Sequence, residues 1–325
     1  MAVYNFSKTS LKTGVKRSTI WDQLSTFLVP AGYTLGGYSG GFLTTVNKLP
    51  FDTETFSVLG TGLSTTRDYV CGYSSATNGY AAGGYDGTSL GLTTVDKFNG
   101  SSNARTTLGT GLNSGRTGAG GVASSTNGYA INGRDSGGSY RISISKMAFN
   151  DDTFSTSAAT TSNNRNMGAS FYSSTNGYYA GGEDSVGAYI SAVDKLNYSA
   201  DTRSTLGTGL SNTASAATGF SSPTAGYVAG GVNGSGRHTT VNKFLFSDDS
   251  RTTLGTGLAA GTYGSYNNIN STIAGYMVGG TTAASPSGIT TAYKFTFSDD
   301  SRSTLSSALA TASYTDGSGG FSCLG

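Results

Sequence analysis

The chain has 325 residues, of which 50 are glycine and only 12% are charged, and its formal net charge at neutral pH is +2. So much glycine without a collagen period, together with 20 tyrosines and 15 phenylalanines, predicts a turn-rich all-β protein and excludes a disordered chain. The weak charge and the scattered basic residues exclude a nucleic-acid-binding surface. Cys71 and Cys323 either form one bridge or, as we expect, remain free, partly buried thiols.

Residues 1–30 form an extension with its own pattern. A Thr19-x-x-Asp22 capping box is followed by apolar residues at helical spacing until Pro30, which predicts a short helix. This arm either packs across one end of the folded domain or docks into a partner. Its candidate anchor residues are Lys12, Lys16, Arg17 and Trp21. The arm lacks the apolar run of a secretory signal, and no stretch of the chain is long and apolar enough to predict membrane insertion.

A repeat of about 49 residues occupies the chain from residue 31 onward. Its tyrosine marker recurs at spacings of 47, 49, 49, 49 and 49 residues, and a lysine marker follows in every copy. Several markers in one register make this a true internal repeat. The markers are Tyr33, Tyr80, Tyr129, Tyr178, Tyr227 and Tyr276, and Lys48, Lys97, Lys146, Lys195, Lys243 and Lys294.

Each copy predicts four short strands. In the fifth copy, an apolar strand is followed by "AGYVAGG" (225–231), a variable loop, "TTVNKF" (239–244), the turn "SDDSR" (247–251) and "TTLGTGL" (252–258). β-branched and aromatic residues separated by Gly, Asp and Ser are typical of strands and hairpins. A four-stranded unit cannot bury both faces alone, so the copies must stack, and repeats of this length close into a β-propeller.

The segments "GYAAGGYDG" (79–87) and "FDTETFSVLGTGLSTTR" (51–67) resemble kelch units, in which the second strand ends in a glycine pair. The resemblance covers residues 31–325 and implies four-stranded propeller blades. One departure is in the fourth strand, where kelch units carry a tryptophan. This chain has Phe56 and Phe154 in two copies and arginine in the other four.

The two ends of the repeat predict how the ring closes. The first Tyr-Gly-Gly strand lacks a preceding strand, while "DGSGGFSCLG" (316–325) is a first strand with nothing after it. We therefore predict an all-β fold: a six-bladed kelch-like propeller over 31–325, with the C-terminal strand completing blade one and removing exposed strand edges. The alternative is that "TFLVPAGY" (26–33) supplies that strand.

The repeated tyrosines are predicted to lie between blades, with each hydroxyl bonded to the next blade. The glycine pairs allow positive φ and a close backbone approach. The lysines have two interpretations. Each ammonium group either reaches a carbonyl or carboxylate of the next blade while the stem covers apolar surface, or the six form a cationic ring for an anionic ligand.

Enzyme sites lack the necessary residues. The chain has one histidine, His238, and two glutamates, Glu54 and Glu183, so a copper site with two histidines is excluded. Glu183 and Asp184 are neighbours in one loop and do not indicate the carboxylate pair of a glycosidase. The sequence predicts a protein that is not an enzyme and has no metal or other cofactor.

Comparison of the copies locates the candidate recognition surface. In a propeller, the loops after the second and fourth strands lie on one face, and the other turns lie on the opposite face. The opposite-face turns repeat closely ("SSATNG", "SSTNG"), whereas the loops after the second strand differ in every copy. Specific surfaces are built in such loops, although neutral drift is the alternative. The candidate binding residues are Tyr38, Tyr85, Asp86, Arg134, Tyr140, Arg141, Glu183, Asp184, Tyr189, Arg237 and His238.

Low charge, a Gly/Ser/Thr-rich β architecture and no visible export signal resemble bacteriophage virion proteins. The resemblance implies a structural and binding propeller in the virion, anchored to other virion proteins by the arm. Its variable face would meet a virion neighbour or a host surface glycan or protein. The alternatives are a cytoplasmic kelch-type adaptor that binds a partner peptide, or a lectin-like glycan-binding module.

Overall fold

The computed structural model describes residues 30–266, 268–284, 288–310 and 318–324, and every regular element in these ranges is a β-strand. Six antiparallel four-stranded blades, numbered 1 to 6 along the chain, form a β-propeller. The predicted all-β, six-bladed architecture is confirmed. The expected helix and anchor residues of the arm lie outside the described residues, as do 1–29 as a whole.

Within each blade, the first strand lies at the centre of the ring and the fourth at its outer edge. The first strands of blades 1 to 6 are Ser318–Cys323, Cys71–Ser74, Gly120–Ala123, Ala169–Tyr172, Thr218–Ser221 and Ile269–Asn270. The second strands are Ala31–Leu35, Asn78–Ala82, Asn127–Ile131, Asn176–Ala180, Ala225–Ala229 and Ala274–Val278. The third strands are Val46–Pro50, Val95–Asn99, Ser143–Ala148, Val193–Asn197, Val241–Leu245 and Ala292–Thr296. The fourth strands are Ser57–Val58, Arg105–Thr107, Thr153–Thr160, Thr202–Thr205, Arg251–Thr253 and Ser301–Thr304.

The ring is closed by the C-terminal strand. Ser318–Cys323 pairs antiparallel with Ala31–Leu35 and places Phe321 opposite Tyr33, where the two rings stack with centroids 4.8 Å apart. The predicted closure of blade 1 is confirmed. The alternative, in which 26–33 supplies the first strand, is wrong because Ser318–Cys323 already occupies that edge of Ala31–Leu35.

Blades stack because an aromatic ring of one first strand lies over a glycine in the second strand of the next blade. Phe171 of blade 4 stacks on Tyr178 at 4.7 Å between centroids and lies against Gly226 of blade 5. A Cβ at Gly226 would overlap the Phe171 ring. Gly79 of blade 2 makes the same space for Phe321 of blade 1. The Gly-Tyr dipeptide is therefore repeated because its two residues serve the two sides of each blade interface.

The central axis is filled by backbone rather than by side chains. A Cβ on Gly72 would strike the carbonyl of Gly320, and a Cβ on Gly121 would strike that of Gly72. Ser170 Oγ donates to the Gly121 carbonyl at 2.9 Å. Asn268 Nδ2, in blade 6, reaches the same carbonyl at 3.3 Å from the opposite side of the ring. The middle of the axis is consequently closed.

Six polar contacts, which we call interblade joints, link each blade to the next. In blade 4, Tyr178 Oη donates to Asp249 Oδ1 at 2.9 Å and Lys195 Nζ donates to Asp249 Oδ2 at 2.7 Å. The acceptors lie in the turns between third and fourth strands, all with positive φ of 49° to 58°. Asp and Asn tolerate this left-handed conformation better than most residues. The acceptors for blades 1 to 6 are Asn103, Asp152, Asp201, Asp249, Asp300 and Glu54.

The joints bear on the two interpretations of the lysines. Five of the six ammonium groups form ion pairs with a carboxylate of the next blade, and Lys48 Nζ instead donates to Asn103 Oδ1 at 3.1 Å. The contact with the next blade is therefore present in every copy. A cationic ring for a ligand would require these same groups to leave their partners.

Three arginines are buried inside blades 2, 3 and 4, and the sequence analysis did not single them out. Arg67, Arg116 and Arg165 recur at the repeat spacing of 49 residues and are at most 2% exposed. Arg67 Nη2 pairs with Asp96 Oδ2 at 2.7 Å and also donates to the Ala81 carbonyl. Burial lowers the pKa of Arg67 and the Asp96 charge opposes that shift. The arginine lies in the segment that enters the blade and ties it to the third strand.

Candidate functional site

One face of the propeller, which we call the variable face, carries the loops that follow the second and fourth strands. Each segment that enters a blade pairs with the loop after the second strand of the same blade, as in the bridges of Asp68 with Tyr85 and Thr117 with Arg134. Gly83 and Gly84 leave the second strand with φ of 68° and 108°, as the glycine pair predicts. Short ladders extend this pairing, namely Arg165–Asn166 with Glu183–Asp184 and Thr262–Tyr263 with Thr281–Thr282. In blade 5, Ser215 bridges to Val232, and Val232–Asn233 forms a hairpin with Gly236–Arg237 within the loop.

Carboxylates fix three of these loops internally. Asp86 Oδ1 accepts from the N–H groups of Ser89 at 2.7 Å and Thr88 at 2.9 Å, and these two bonds hold its pKa below the ordinary value. Asp135 and Asp184 each accept two backbone N–H groups of their own loops in the same way. Such Asx turns set the loop shape locally. The predicted binding residues Asp86 and Asp184 therefore serve first to hold their loops in one conformation, and Asp135 does the same in its loop.

Aromatic and cationic side chains pack over the capped loops. Tyr38, Phe42 and Tyr85 form an edge-to-face series with centroids 5.1 Å and 5.2 Å apart, which links the loops of blades 1 and 2. Arg134 lies over the Tyr140 ring at 4.5 Å and donates to its hydroxyl. These pairs hold large side chains in fixed orientations at the surface.

The remaining predicted residues are spread around the ring. Arg141 pairs with Asp135, and Arg237 lies 5.8 Å from the centroid of Tyr263. Glu183 bridges to Tyr189 through the backbone. Burial lowers the pKa of His238, so this ring is neutral at physiological pH; neither of its nitrogens has a hydrogen-bond partner among the described residues.

Two predicted residues, Tyr85 and Arg134, line one small pocket near the axis of the variable face. Its volume is about 200 Å³. We call it the Arg134 pocket, and its lining residues are Tyr69, Tyr85, Leu90, Thr117, Gly118, Arg134, Asn166 and Met167. Tyr69, Thr117 and Met167 were missed because they lie between blades, in segments that sequence reasoning assigned to the frame. A signal was present: the repeat position that holds Tyr69, Gly118 and Met167 varies among the copies, with Ala216 and Gly264 in the next two.

The floor of the Arg134 pocket is a chain of interblade backbone bonds around the axis. Gly118 N–H donates to the Tyr69 carbonyl at 3.2 Å, Met167 to Gly118 at 2.9 Å and Ala216 to Met167 at 2.7 Å. Tyr69, Met167 and Ala216 take positive φ of 50° to 56°, a strained conformation for residues other than glycine. In the described copies this position carries a side chain in blades 2, 4 and 5 and is glycine in blades 3 and 6.

A wider cavity lies on the opposite face, where the turns between first and second strands converge on the axis. It measures about 600 Å³, within the usual range for ligand sites, and the sequence analysis did not predict it. No charged residue lines it. Its serines at 75, 124, 173, 222 and 271 each cap their own turn, as Ser75 Oγ does for the Asn78 N–H at 3.0 Å.

Some polar groups at the bottom of this cavity, which we call the turn-face cavity, are already hydrogen-bonded within the protein. Ser74 Oγ donates to the Ser322 carbonyl at 2.6 Å, and Ser221 Oγ accepts from the Tyr172 N–H at 2.8 Å. Asn270 Oδ1 is buried without a partner among the described residues. The lining can accept small uncharged polar groups and offers no acid, base or nucleophile pair.

Among the described residues, no three His, Cys, Asp or Glu side chains lie close enough to hold a metal ion. Cys71 and Cys323 are free thiols, as expected, but they are fully rather than partly buried, and burial raises the pKa of each to about 12. No helix in the part that the structure describes is long and apolar enough to cross a membrane.

Comparisons with known proteins add no family to the fold. The chain matches no protein-family model, and no curated protein matches its sequence. The likeness to kelch units is therefore one of strand pattern and glycine placement. The structure itself shows a six-bladed β-propeller, an architecture that suits a binding or interaction module.

Proposed function

We propose that this chain is a non-enzymatic binding propeller displayed on a bacteriophage virion. In this proposal, residues 1–30 anchor it to other virion proteins, and the variable face contacts a host surface glycan or protein. The single observation that carries the proposal is the contrast between the two faces. Turns of the opposite face repeat the same serine caps, whereas the loops of the variable face differ in sequence, and those of blades 2, 3 and 4 are each held by a carboxylate within the loop.

Rigid, divergent loops favour recognition over drift for a physical reason. Binding costs free energy when mobile side chains must be ordered, and loops that are ordered beforehand reduce that cost. Drift removes specific contacts, yet the loops of blades 2, 3 and 4 each retain a carboxylate that accepts two or more backbone N–H groups. Aromatic and arginine side chains, which dominate binding hot spots, are held over these caps.

The virion assignment has weaker support, which comes from composition. A chain of 12% charged residues that is rich in Gly, Ser and Thr suits a β-structured component of a virion surface. The arm carries basic residues and the one tryptophan, which suit docking to an acidic or apolar surface of a neighbour. An intracellular adaptor would use the same variable face without particle incorporation.

Deletion of residues 1–30 is expected to abolish incorporation into particles while leaving a folded propeller. The ring is closed by Ser318–Cys323 and does not require the arm to complete a blade. Incorporation would be measured by immunoblotting of purified particles and folding by circular dichroism. If the chain without residues 1–30 still entered particles, the arm would not be the anchor. If the full chain were found in no particle, the intracellular adaptor would be the better-supported function.

Val186→Arg is expected to weaken adsorption of the purified chain to host cells by about tenfold, or roughly 1.4 kcal/mol. Val186 is 85% exposed at the tip of a variable-face loop, so a charge there disturbs a contact without disturbing the core. Ile273→Arg is the matched control, because Ile273 is 66% exposed in a turn of the opposite face. Equal loss in both variants, or loss only with Ile273→Arg, would contradict recognition by the variable face.

A further inference from the structure

Arg134 is a half-buried cation without a counter-ion. No carboxylate of the described residues lies within ion-pair distance of it, whereas Arg141 in the same loop pairs with Asp135. None of the residues that line the Arg134 pocket is acidic. A partly desolvated charge that the fold does not neutralise is unfavourable unless something else pairs with it. The pocket therefore lacks one negative charge.

The guanidinium is held so that one side remains available. Its Nη2 donates to the Tyr140 hydroxyl, and with the Asn166 amide oriented to satisfy both neighbours, its Nε donates to Asn166 Oδ1 at 3.0 Å. The Nη1 group has no acceptor among the residues that the structure describes. The N–H groups of Nη1, on a guanidinium held in place by its other two nitrogens, can donate to a carboxylate oxygen.

Thr117 supplies a second, independent indication of a ligand. Thr117 lines the pocket and is only 5% exposed. Its Oγ1 has no hydrogen-bond partner in the described structure and is closed to solvent, so a ligand in the pocket reaches it after rotation about χ1. Buried hydroxyls are nearly always bonded, and an unbonded one costs on the order of 1–3 kcal/mol. A ligand oxygen placed beside Arg134 would give this hydroxyl its partner.

Backbone groups narrow the class of anion. The N–H groups of Thr117, Gly118, Arg134 and Met167 already donate to other carbonyls, so the pocket offers no backbone nest. Phosphate sites and captured peptide C-termini depend on such nests. With one arginine, one hydroxyl and the rings of Tyr69 and Tyr85, the pocket suits a singly charged carboxylate on a compact body that carries hydroxyl groups.

The size of the pocket limits what enters. About 200 Å³ is below the range of roughly 300–1,000 Å³ for sites of drug-sized ligands, so only one terminal unit of a larger molecule fits. We propose that the Arg134 pocket binds the carboxylate of a single acidic sugar at the end of a host surface glycan. The inference rests on the proposed function, since it places the specific contact within the variable face.

The test is calorimetric titration of the full chain with a matched pair of ligands. Methyl β-D-glucuronide carries a carboxylate where methyl β-D-glucoside carries a neutral CH₂OH group. We expect the glucuronide, or the methyl glycoside of N-acetylneuraminic acid, to bind at least about tenfold more tightly than the glucoside, because a charge-assisted bond is lost with the neutral ligand. Equal affinity for the charged and neutral glycosides, or no binding of either acidic sugar, would overturn the proposal.

Variants separate the pocket from the rest of the face. Arg134→Gln is expected to weaken acidic-sugar binding by about tenfold or more and Thr117→Val by about fivefold. Arg251→Gln, at an arginine in the fourth strand of blade 5 that does not line the pocket, is the control and should leave affinity unchanged. Thermal unfolding of each variant establishes that it folds. Affinity that Arg134→Gln leaves unchanged would sink the proposal.

Three further outcomes separate this inference from the proposed function. A peptide acid that binds while its C-terminal amide does not, with no response to the sugars, would assign the pocket to a peptide and overturn the sugar. Cell adsorption that falls with Val186→Arg but not with Arg134→Gln would retain the variable face and remove this pocket as its contact. Adsorption that neither substitution lowers would remove both.

Discussion

A chain that ends at Asp316 is expected not to form a cooperative propeller. The truncation removes Ser318–Cys323, the central strand of blade 1, and with it Phe321 and Cys323, each at most 1% exposed. Loss of one buried phenylalanine costs about 3–5 kcal/mol, and a domain has only about 5–15 kcal/mol in total. The missing backbone bonds to Ala31–Leu35 and the exposed ring of Tyr33 add to that loss.

Circular dichroism and thermal unfolding would measure the effect. We expect the truncated chain to lose its sharp transition and to aggregate through the exposed edge of Ala31–Leu35. Removal of Leu324 and Gly325 alone is the control, because Leu324 is 38% exposed and lies beyond the strand. A synthetic peptide of residues 317–325 should restore the transition in trans. An unaltered melt of the truncated chain would contradict the closure seen in blade 1.

Asp96→Ala is expected to destabilise the propeller by about 3–5 kcal/mol, the cost of leaving a buried charge without its partner. Asp96 is fully buried and accepts hydrogen bonds from Arg67, Thr107 and both polar groups of Ser64. The substitution strands the Arg67 guanidinium, which is also fully buried. Urea denaturation of the wild type and the variant would give the difference in free energy of unfolding.

Two controls isolate the charge. Asp299→Ala removes an exposed carboxylate that only accepts the Ser301 N–H, and it should leave the urea midpoint almost unchanged. The double variant Arg67→Met with Asp96→Leu replaces the pair by apolar side chains and should recover most of the lost stability, as buried ion pairs often allow. A single variant as stable as the wild type would show that Arg67 finds other compensation.

The sequence was sufficient to predict the architecture because the repeat markers are themselves structural. A tyrosine and a lysine recur in every copy, as Tyr178 and Lys195 do in blade 4, because they bond an acceptor in the next blade, so their period counts the blades. The predicted hydroxyl bond is present in five copies and is absent for Tyr129, whose Oη has no partner among the described residues. The unmatched strand at the C-terminus predicted the closure for a similar reason. The sequence did not identify the residue that accepts these hydrogen bonds. Asp249 lies in a different copy of the repeat, and an aspartate in such a turn could equally cap the turn itself.

The candidate site was predictable only in part. The divergent loops predicted the variable face. They did not predict that Asp86 and Asp184 would accept backbone hydrogen bonds within their own loops. Tyr69 and Thr117 enter the Arg134 pocket through the meeting of three blades, which no single copy of the repeat encodes. The turn-face cavity was missed because the sequences of its turns repeat closely, which indicated a structural role and no binding site.

The interblade joints also affect the electrostatic potential at the surface of the protein. Five repeated lysines are matched by carboxylates, and Arg67 and Arg165 are buried with their own. Most of the positive charge in the described part of the chain is therefore neutralised by ion pairs within the protein, and little of it contributes to a long-range electric field. Copies crowded side by side would attract few stray polyanions. Selectivity would then depend on short-range fit at the few cations, such as Arg134, that the fold leaves unmatched.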